Sequence, residues 1–243
     1  MTFKLAQYPR VFLVMLCLFD APLLSLQDSV EPLSTYSKEE LLGQINPASH
    51  PAFSEIPNYL CNSSGLYLRT EVLDAFLDLE KNARDEGIRL KVISATRSFK
   101  HQKRIWDRKW QRTKYMGWSE IEKAKDILTY SSMPGTSRHH WGTDIDLNSL
   151  ENEYFLSGEG LKVFEFLERC GNEIGFFQVY TDKINGRTGY EEEKWHWSYI
   201  PVSSVILEEY NKFIKNDDIS GFNGSNSVDS IKIIPYYVNG IAK

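Results

Sequence analysis

The sequence predicts an α+β domain with a mainly antiparallel sheet flanked by helices. Helical periodicity gathers in a few long segments, whereas the short alternating segments are joined by loops rather than by regular crossover helices. The balance of 42% hydrophobic and 25% charged residues is that of a folded globule, not of a disordered or collagen-like chain. With 243 residues the chain has room for one domain with appendages or for two small ones.

Lys4 and Arg10 precede the apolar run VFLVMLCLF at 11–19. A basic start, a short apolar core and then polar sequence read as a secretory signal peptide over 1–25, since a span needs about 20 apolar residues. An exported protein, periplasmic or associated with the cell envelope, is therefore expected, with no stable membrane span after processing; a retained anchor is the alternative. In YSKEELLGQI, Ser37 and Glu40 have capping-box spacing, which predicts a short helix in an extended arm. RTEVLDAFLDLEKNARDEG places Val72, Phe76, Leu79 and Ala83 on one helical face, with Gly87 as the stop. IRLKVISAT, 88–96, alternates as a half-buried strand whose end delivers Arg97 into a loop.

HQKRIWDRKWQRTKY is read as a helix with a basic face, and Ser119 with Glu122 marks another capped helix. The loop-rich SSMPGTSRHHWG leads into TDIDL, a short alternating strand. Helical EGLKVFEFLERCGNEIG, the strand FFQVY, the strand WHWSYI and the helix VSSVILEEYNKFI follow. DDISGFNGSNSVDS, 217–230, is read as a linker, and IKIIPYYV as an added strand or a small docking element. The expected division is thus 1–25, a main domain over 26–215 and a linker with C-terminal extension over 216–243.

The 28 basic and 33 acidic residues leave a net charge of -5, so nothing draws the whole molecule to nucleic acid. Outside the leader, Cys61 and Cys170 either pair in an oxidising compartment or stay as free thiols. The basic stretch RKWQRTK, 108–114, is either a solvated face or a surface for cell-wall carboxylates.

The unusual polar residues cluster in three places. His139 and His140 precede Asp144 and Asp146, and strand alternation puts both aspartates on one face. Buried carboxylates need a partner, and a divalent cation shared with imidazoles supplies one. His196, set among tryptophans, completes the group. Two histidines and one carboxylate leave a tetrahedral position open for water, as in catalytic rather than structural zinc sites. Glu193, three residues before His196, is placed to take the proton of that water, and Arg97 to meet the developing oxyanion. Ordinary alternatives exist: a surface His-His pair, and Arg97 as the ion-pair partner of Asp144. No HExxH occurs, so spacing alone is weak.

SATRS (94–98) with Gln102, SRHHWGTDIDL (137–147) and EKWHWSY (193–199) resemble, in order and content, the three signature blocks of the VanY-like D-alanyl-D-alanine carboxypeptidases, zinc peptidases that trim peptidoglycan stem peptides. The likeness runs loosely over about 36–215. It implies the hedgehog/D,D-peptidase-like fold and selects His139, Asp146 and His196 as Zn2+ ligands, Glu193 as general base and Arg97 as transition-state stabiliser. It also implies substrate contact at Ser137 and Gln102. Trp141 and Tyr190 are expected on the cleft wall, with Trp195, Trp197 and Tyr199 facing away from the metal in core packing. Asp144 departs from the family pattern and could accept a hydrogen bond from a ligand histidine. The implied reaction removes the terminal D-amino acid from a stem peptide. The alternatives are an L,D-carboxypeptidase or L-Ala-D-Glu endopeptidase on the same scaffold, and a non-catalytic cell-wall-binding zinc module.

Overall fold

A computed structural model describes residues 34–242, so the expected leader over 1–25 and the residues up to 33 lie outside the described residues. Ser37 caps α1 (Lys38–Leu41) in a reciprocal capping box with Glu40. β1 (Phe53–Glu55), in the stretch read as an arm, pairs antiparallel with β2 (Tyr67–Arg69) beyond it in a two-stranded sheet. α2 (Thr70–Asp85) follows directly, burying Val72, Leu73, Phe76, Leu79 and Ala83 as the 3.6-residue period requires.

The main sheet has four strands in the order β3-β4-β6-β5, all antiparallel: β3 (Val92–Ser94), β4 (Asp144–Leu147), β5 (Phe176–Gln178) and β6 (His196–Tyr199). β3 is shorter than the alternating stretch 88–96 because its partner β4 spans only Asp144–Leu147, and the ladder between them is irregular between Val92 and Ser94. One sheet face is apolar. Phe176 meets Phe76 of α2 at 6.4 Å between ring centroids, and Trp197 meets Phe164 of α5 (Gly158–Phe166) at 6.1 Å. A π-turn over 167–171 and α6 (Asn172–Ile174) then lead through Gly175 into β5. On the other face, the ladder sets Asp146 opposite His196 and Asp144 opposite Ser198.

α3 (Phe99–Trp110) starts at the Ser98 cap just beyond Arg97, and α4 (Glu120–Ile127) at the Ser119 capping box. α7 (Ile200–Phe213) continues from β6 with Pro201 in its first turn, where the missing N–H is harmless. No helix of the described residues is long and apolar enough to cross a membrane. Among the described residues Cys61 and Cys170 form no disulfide.

The stretch 217–230, expected as a linker, is packed core instead. Ile219, Phe222 and Val228 are buried, and Phe222 meets Phe99 and Trp106 edge to face. The Trp106 indole donates to the Asn223 carbonyl at 2.8 Å. α8 (Val228–Ile231) closes this stretch, and a π-turn over 234–238 follows in place of a strand: the Asn239 N–H donates to the Ile234 carbonyl at 3.0 Å, five residues back, so the backbone coils on itself rather than pairing with a sheet. Deleting the Phe222 ring should therefore cost about 3–5 kcal/mol in urea unfolding of Phe222→Ala, where a linker residue would cost almost nothing.

Candidate metal centre and active site

The β4–β6 register brings three ligand-type side chains together. His139, Asp146 and His196 are all buried, and one ligand atom from each lies within 4.8 Å of the others. The Asp146 Oδ1 oxygen is 3.3 Å from His139 Nε2 and 3.0 Å from His196 Nδ1. Each imidazole is also held on its outer side. His139 Nδ1–H donates to the Ala95 carbonyl at 2.8 Å, and His196 Nε2 meets Asp144 Oδ2 at 2.9 Å. Those outer bonds turn His139 Nε2 and His196 Nδ1 toward the shared space, the way supporting partners orient ligand histidines. His139 Nε2 is buried without a hydrogen-bond partner. An N,N,O donor set of this kind, with an orphaned imidazole nitrogen, fits a zinc-type cation.

Asp144 is the buried support. Its carboxylate accepts from the Thr143 hydroxyl at 2.6 Å, the Ser198 hydroxyl at 2.9 Å and Arg138 Nε at 2.9 Å. Arg138 also donates to Ser198 Oγ at 2.6 Å and lies over the Trp141 ring at 4.8 Å. The partner of Asp144 is thus Arg138, not Arg97. Burial alone would push both aspartates up. Arg138 and His196 beside Asp144, and the imidazoles of His139 and His196 beside Asp146, instead hold the two carboxyls well below the ordinary range. Against the cost of burial, the two carboxylates push His196 up to about 9, which marks a pocket that favours positive charge.

His140 has a different task. Its Nδ1–H donates to the Arg97 carbonyl at 2.5 Å, and its Nε2 accepts the Gly135 N–H at 3.0 Å. The ring braces the loop that carries Arg97 and leaves no nitrogen for a ligand. Gly43 makes room for it: a Cβ there would stand 2.4 Å from the imidazole, and φ is +70°.

Arg97, Ser137, His139, Tyr190, Glu193 and His196 border one small cavity of about 20 Å³, roughly the space of a water. Six buried side-chain atoms lack partners among the described residues, and four of them, Arg97 Nε, Ser137 Oγ, His139 Nε2 and Tyr190 OH, belong to residues of this cavity. Orphaned polar groups cost about 1–3 kcal/mol each, so their concentration here marks where outside groups complete the bonding. Glu193 Oε2 lies 3.7 Å from His196 Nδ1, and the His196 N–H donates to the Glu193 carbonyl, so the Glu-x-x-His segment turns both side chains to one side. Burial pushes the Glu193 carboxyl up to about 7 against the pull of His196, within the range suited to passing protons near neutrality. A larger cleft of about 530 Å³ shares Arg97, Tyr130, Ser131 and Glu193 with the small one.

Three expected placements differ. Trp141 is 1% exposed and donates its indole N–H to the Leu41 carbonyl, so it braces the interior rather than lining either cavity. Gln102 is fully buried behind the cavity wall, donating to the Ser132 carbonyl at 2.8 Å. Trp195 lines the larger cleft with Tyr130, 6.5 Å between rings. It does so because β6 begins only at His196, and strand alternation does not govern the residue before it. Nothing in the sequence separates Lys109 from the rest of the basic stretch 108–114, or gives Arg138 a role within 137–147; only a count of buried charge against partners singles them out.

Residues 65–202 match the profile of the VanY family, described as D-alanyl-D-alanine carboxypeptidase. The fold is thus that of the VanY-type α+β scaffold. The chain belongs to this family. A D-alanyl-D-alanine carboxypeptidase of Enterococcus faecalis is 26% identical over 156 residues, covering 61% of this chain; the chain spans 57% of that relative. A solved structure of VanYB in complex with D-Alanine-D-Alanine is 25% identical, with a TM-score of 0.50, covering 70% of this chain and 93% of that one. The LdcB LD-carboxypeptidase shares the fold with a TM-score of 0.52 at 23% identity, covering 71% of this chain and 81% of that one.

Burial pulls His140 down to about 3, from 6.5 for a free imidazole. The unfolded chain therefore binds a proton that the folded one refuses between those values. The His140 contribution to stability is complete above about 6.5 and is lost as pH falls toward 3, by about 1.4 kcal/mol per pH unit. In urea titrations from pH 4.5 to 7, His140→Gln should show a shallower dependence of stability on pH than the native chain, by up to one proton.

Proposed function

We propose that this protein is a zinc-dependent D,D-carboxypeptidase that removes the terminal D-amino acid from peptidoglycan stem peptides in the cell envelope. The observation that carries this reading is the convergence of His139, Asp146 and His196 beside a buried Glu193, whose carboxyl is pushed up to about 7, and a guanidinium whose Nε has no hydrogen-bond partner among the described residues. His139 Nε2, an Asp146 oxygen and His196 Nδ1 would hold the ion. When bound, zinc supplies Lewis acidity toward water and the scissile carbonyl.

The chain's own residues do the rest. Glu193 takes the proton of the attacking water and returns it to the leaving D-amino group. Arg97, anchored through its backbone to His139 and His140, presents its guanidinium to the oxygen where negative charge grows. Ser137 and Tyr190 offer unpartnered hydroxyls to the peptide. Gln102 and Trp141 act from behind, as positioning residues for the 131–132 wall and the His139 turn. Asp144 fixes His196 through its outer nitrogen and completes the orientation of that ligand.

Glu193→Gln should keep stoichiometric zinc by metal analysis yet lose about 100-fold or more in kcat on a D-Ala-terminated pentapeptide. Arg97→Ala should fall by about 100- to 1000-fold in kcat with an unchanged Tm, whereas a merely structural arginine would lower Tm. Product masses from pentapeptide, tetrapeptide and cross-linked muropeptides decide among D,D, L,D and endopeptidase cleavage. Stoichiometric zinc with no cleavage of any of them would identify a binding module instead.

A further inference from the structure

The larger cleft beside Arg97 and Glu193 is bordered by two segments of opposite charge. Arg108 and Lys109 come from α3, and Glu151 and Glu153 from the loop after β4. The basic run 108–114 divides accordingly. Lys114 is neutralised by Asp126 at 2.7 Å, and on the preceding turn of α3 Lys103 is paired with Asp107 at 2.7 Å. Lys109 differs: its Nζ donates to the Ser131 hydroxyl and to no carboxylate among the described residues, although the side chain is largely enclosed. Glu193 acts on it only from a distance, with no hydrogen bond or ion pair between them, and a half-buried ammonium without a paired carboxylate is costly; a glutamine at this position would satisfy Ser131 without that cost. The charge therefore points to an anionic group that arrives from outside.

Position defines which group. Ser131 borders both the small cavity and the larger cleft, whereas Lys109 borders only the larger one. The larger cleft reaches Asp146, Arg97 and Glu193 at one side and Lys109, Glu151 and Glu153 elsewhere on its border, so a ligand that carries a carboxylate to Lys109 and an ammonium to the two glutamates occupies this cleft outside the water-sized cavity. Glu151 and Glu153, exposed on the same cleft, suit the ammonium of that ligand.

We propose that Lys109 is a specificity-determining residue that pairs with a side-chain carboxylate upstream of the scissile bond, so that the cleft selects stem peptides whose diamino acid carries both a carboxylate and an ammonium over those carrying the ammonium alone. This rests on the stem-peptide reading given above. Two synthetic pentapeptides identical except for meso-diaminopimelate or lysine at the diamino-acid position test it. Their Kd values are measured by calorimetry on the full chain in the Glu193→Gln background, which blocks turnover, and their hydrolysis is measured separately on the native chain.

The diaminopimelate peptide should bind about 10-fold tighter than the lysine peptide, as expected for one charge-assisted hydrogen bond. Adding Lys109→Met should bring the ratio to about 1, and Lys109→Gln, which keeps a donor for Ser131, should do the same if the methionine variant fails to fold. Lys109→Arg should retain a preference. A purely structural lysine would weaken both peptides equally. Equal affinities in the Lys109 chain, or a preference that survives Lys109→Gln, overturn the assignment whether or not either peptide is cleaved. A preference that depends on Lys109 without hydrolysis of either peptide overturns the carboxypeptidase reading and leaves this selection in place.

Discussion

The antiparallel register between β4 and β6 is the constraint on which the rest of the site depends. With Asp146 opposite His196 and Asp144 opposite Ser198, two carboxylates, an imidazole and a hydroxyl share one face. A slip of one residue would turn both aspartates toward Phe164, Phe176 and the α2 side, and would lift Ile145 and Leu147 out of the core. The slip would be costly on both faces at once. The same register leaves two adjacent carboxylates buried, and their mutual repulsion has to be answered locally. His196 stands between them with one ring nitrogen toward each, and Arg138 answers Asp144 from the other side.

The polar groups divide into two populations. Asp144, Ser198, Thr143 and His140 have their hydrogen-bonding capacity taken up inside the protein, so they fix positions and take no part in exchange with outside groups. Arg97, Ser137, His139 and Tyr190 each keep an enclosed atom without a partner around one water-sized space. The first population makes the second affordable: a group left unpaired in a soft environment would rotate to a neighbour or draw in solvent. Here the backbone of Arg97 is tied to His139 and His140, and His139 itself to Ala95.

Much of this was legible in the sequence wherever a short-range rule applied. Ser37 with Glu40 and Ser119 with Glu122 announce their helices because a capping box is complete within four residues. Asp144 and Asp146 announce a shared face because alternation needs only β4 itself. Trp195 could not be placed, because its direction depends on where β6 starts, which is set by pairing with β4 and β5. Phe222 and Val228 sit among Gly, Asn and Ser, and only the groove beside α3 turns that polar-looking segment into core. Arg138 reads as one more surface charge until the buried carboxylate next to it is known.

The segment beyond residue 202 lies outside the family match, yet it bears on the site. The Thr188 hydroxyl donates to the Tyr236 carbonyl at 2.9 Å, Arg187 to the Gly240 carbonyl at 3.1 Å, and the Ala242 N–H to the Val179 carbonyl at 2.8 Å. Gly189 permits the approach, since a Cβ there would fall 2.5 Å from the Tyr236 oxygen. Tyr237 then packs on Tyr190 at 5.2 Å. The loop clamped in this way runs directly into Glu191–Glu193, so the tail holds one wall of the water-sized cavity from behind. The His139, Asp146 and His196 cluster lies within the family match, while the loop that carries Glu193 is held in part by sequence outside it.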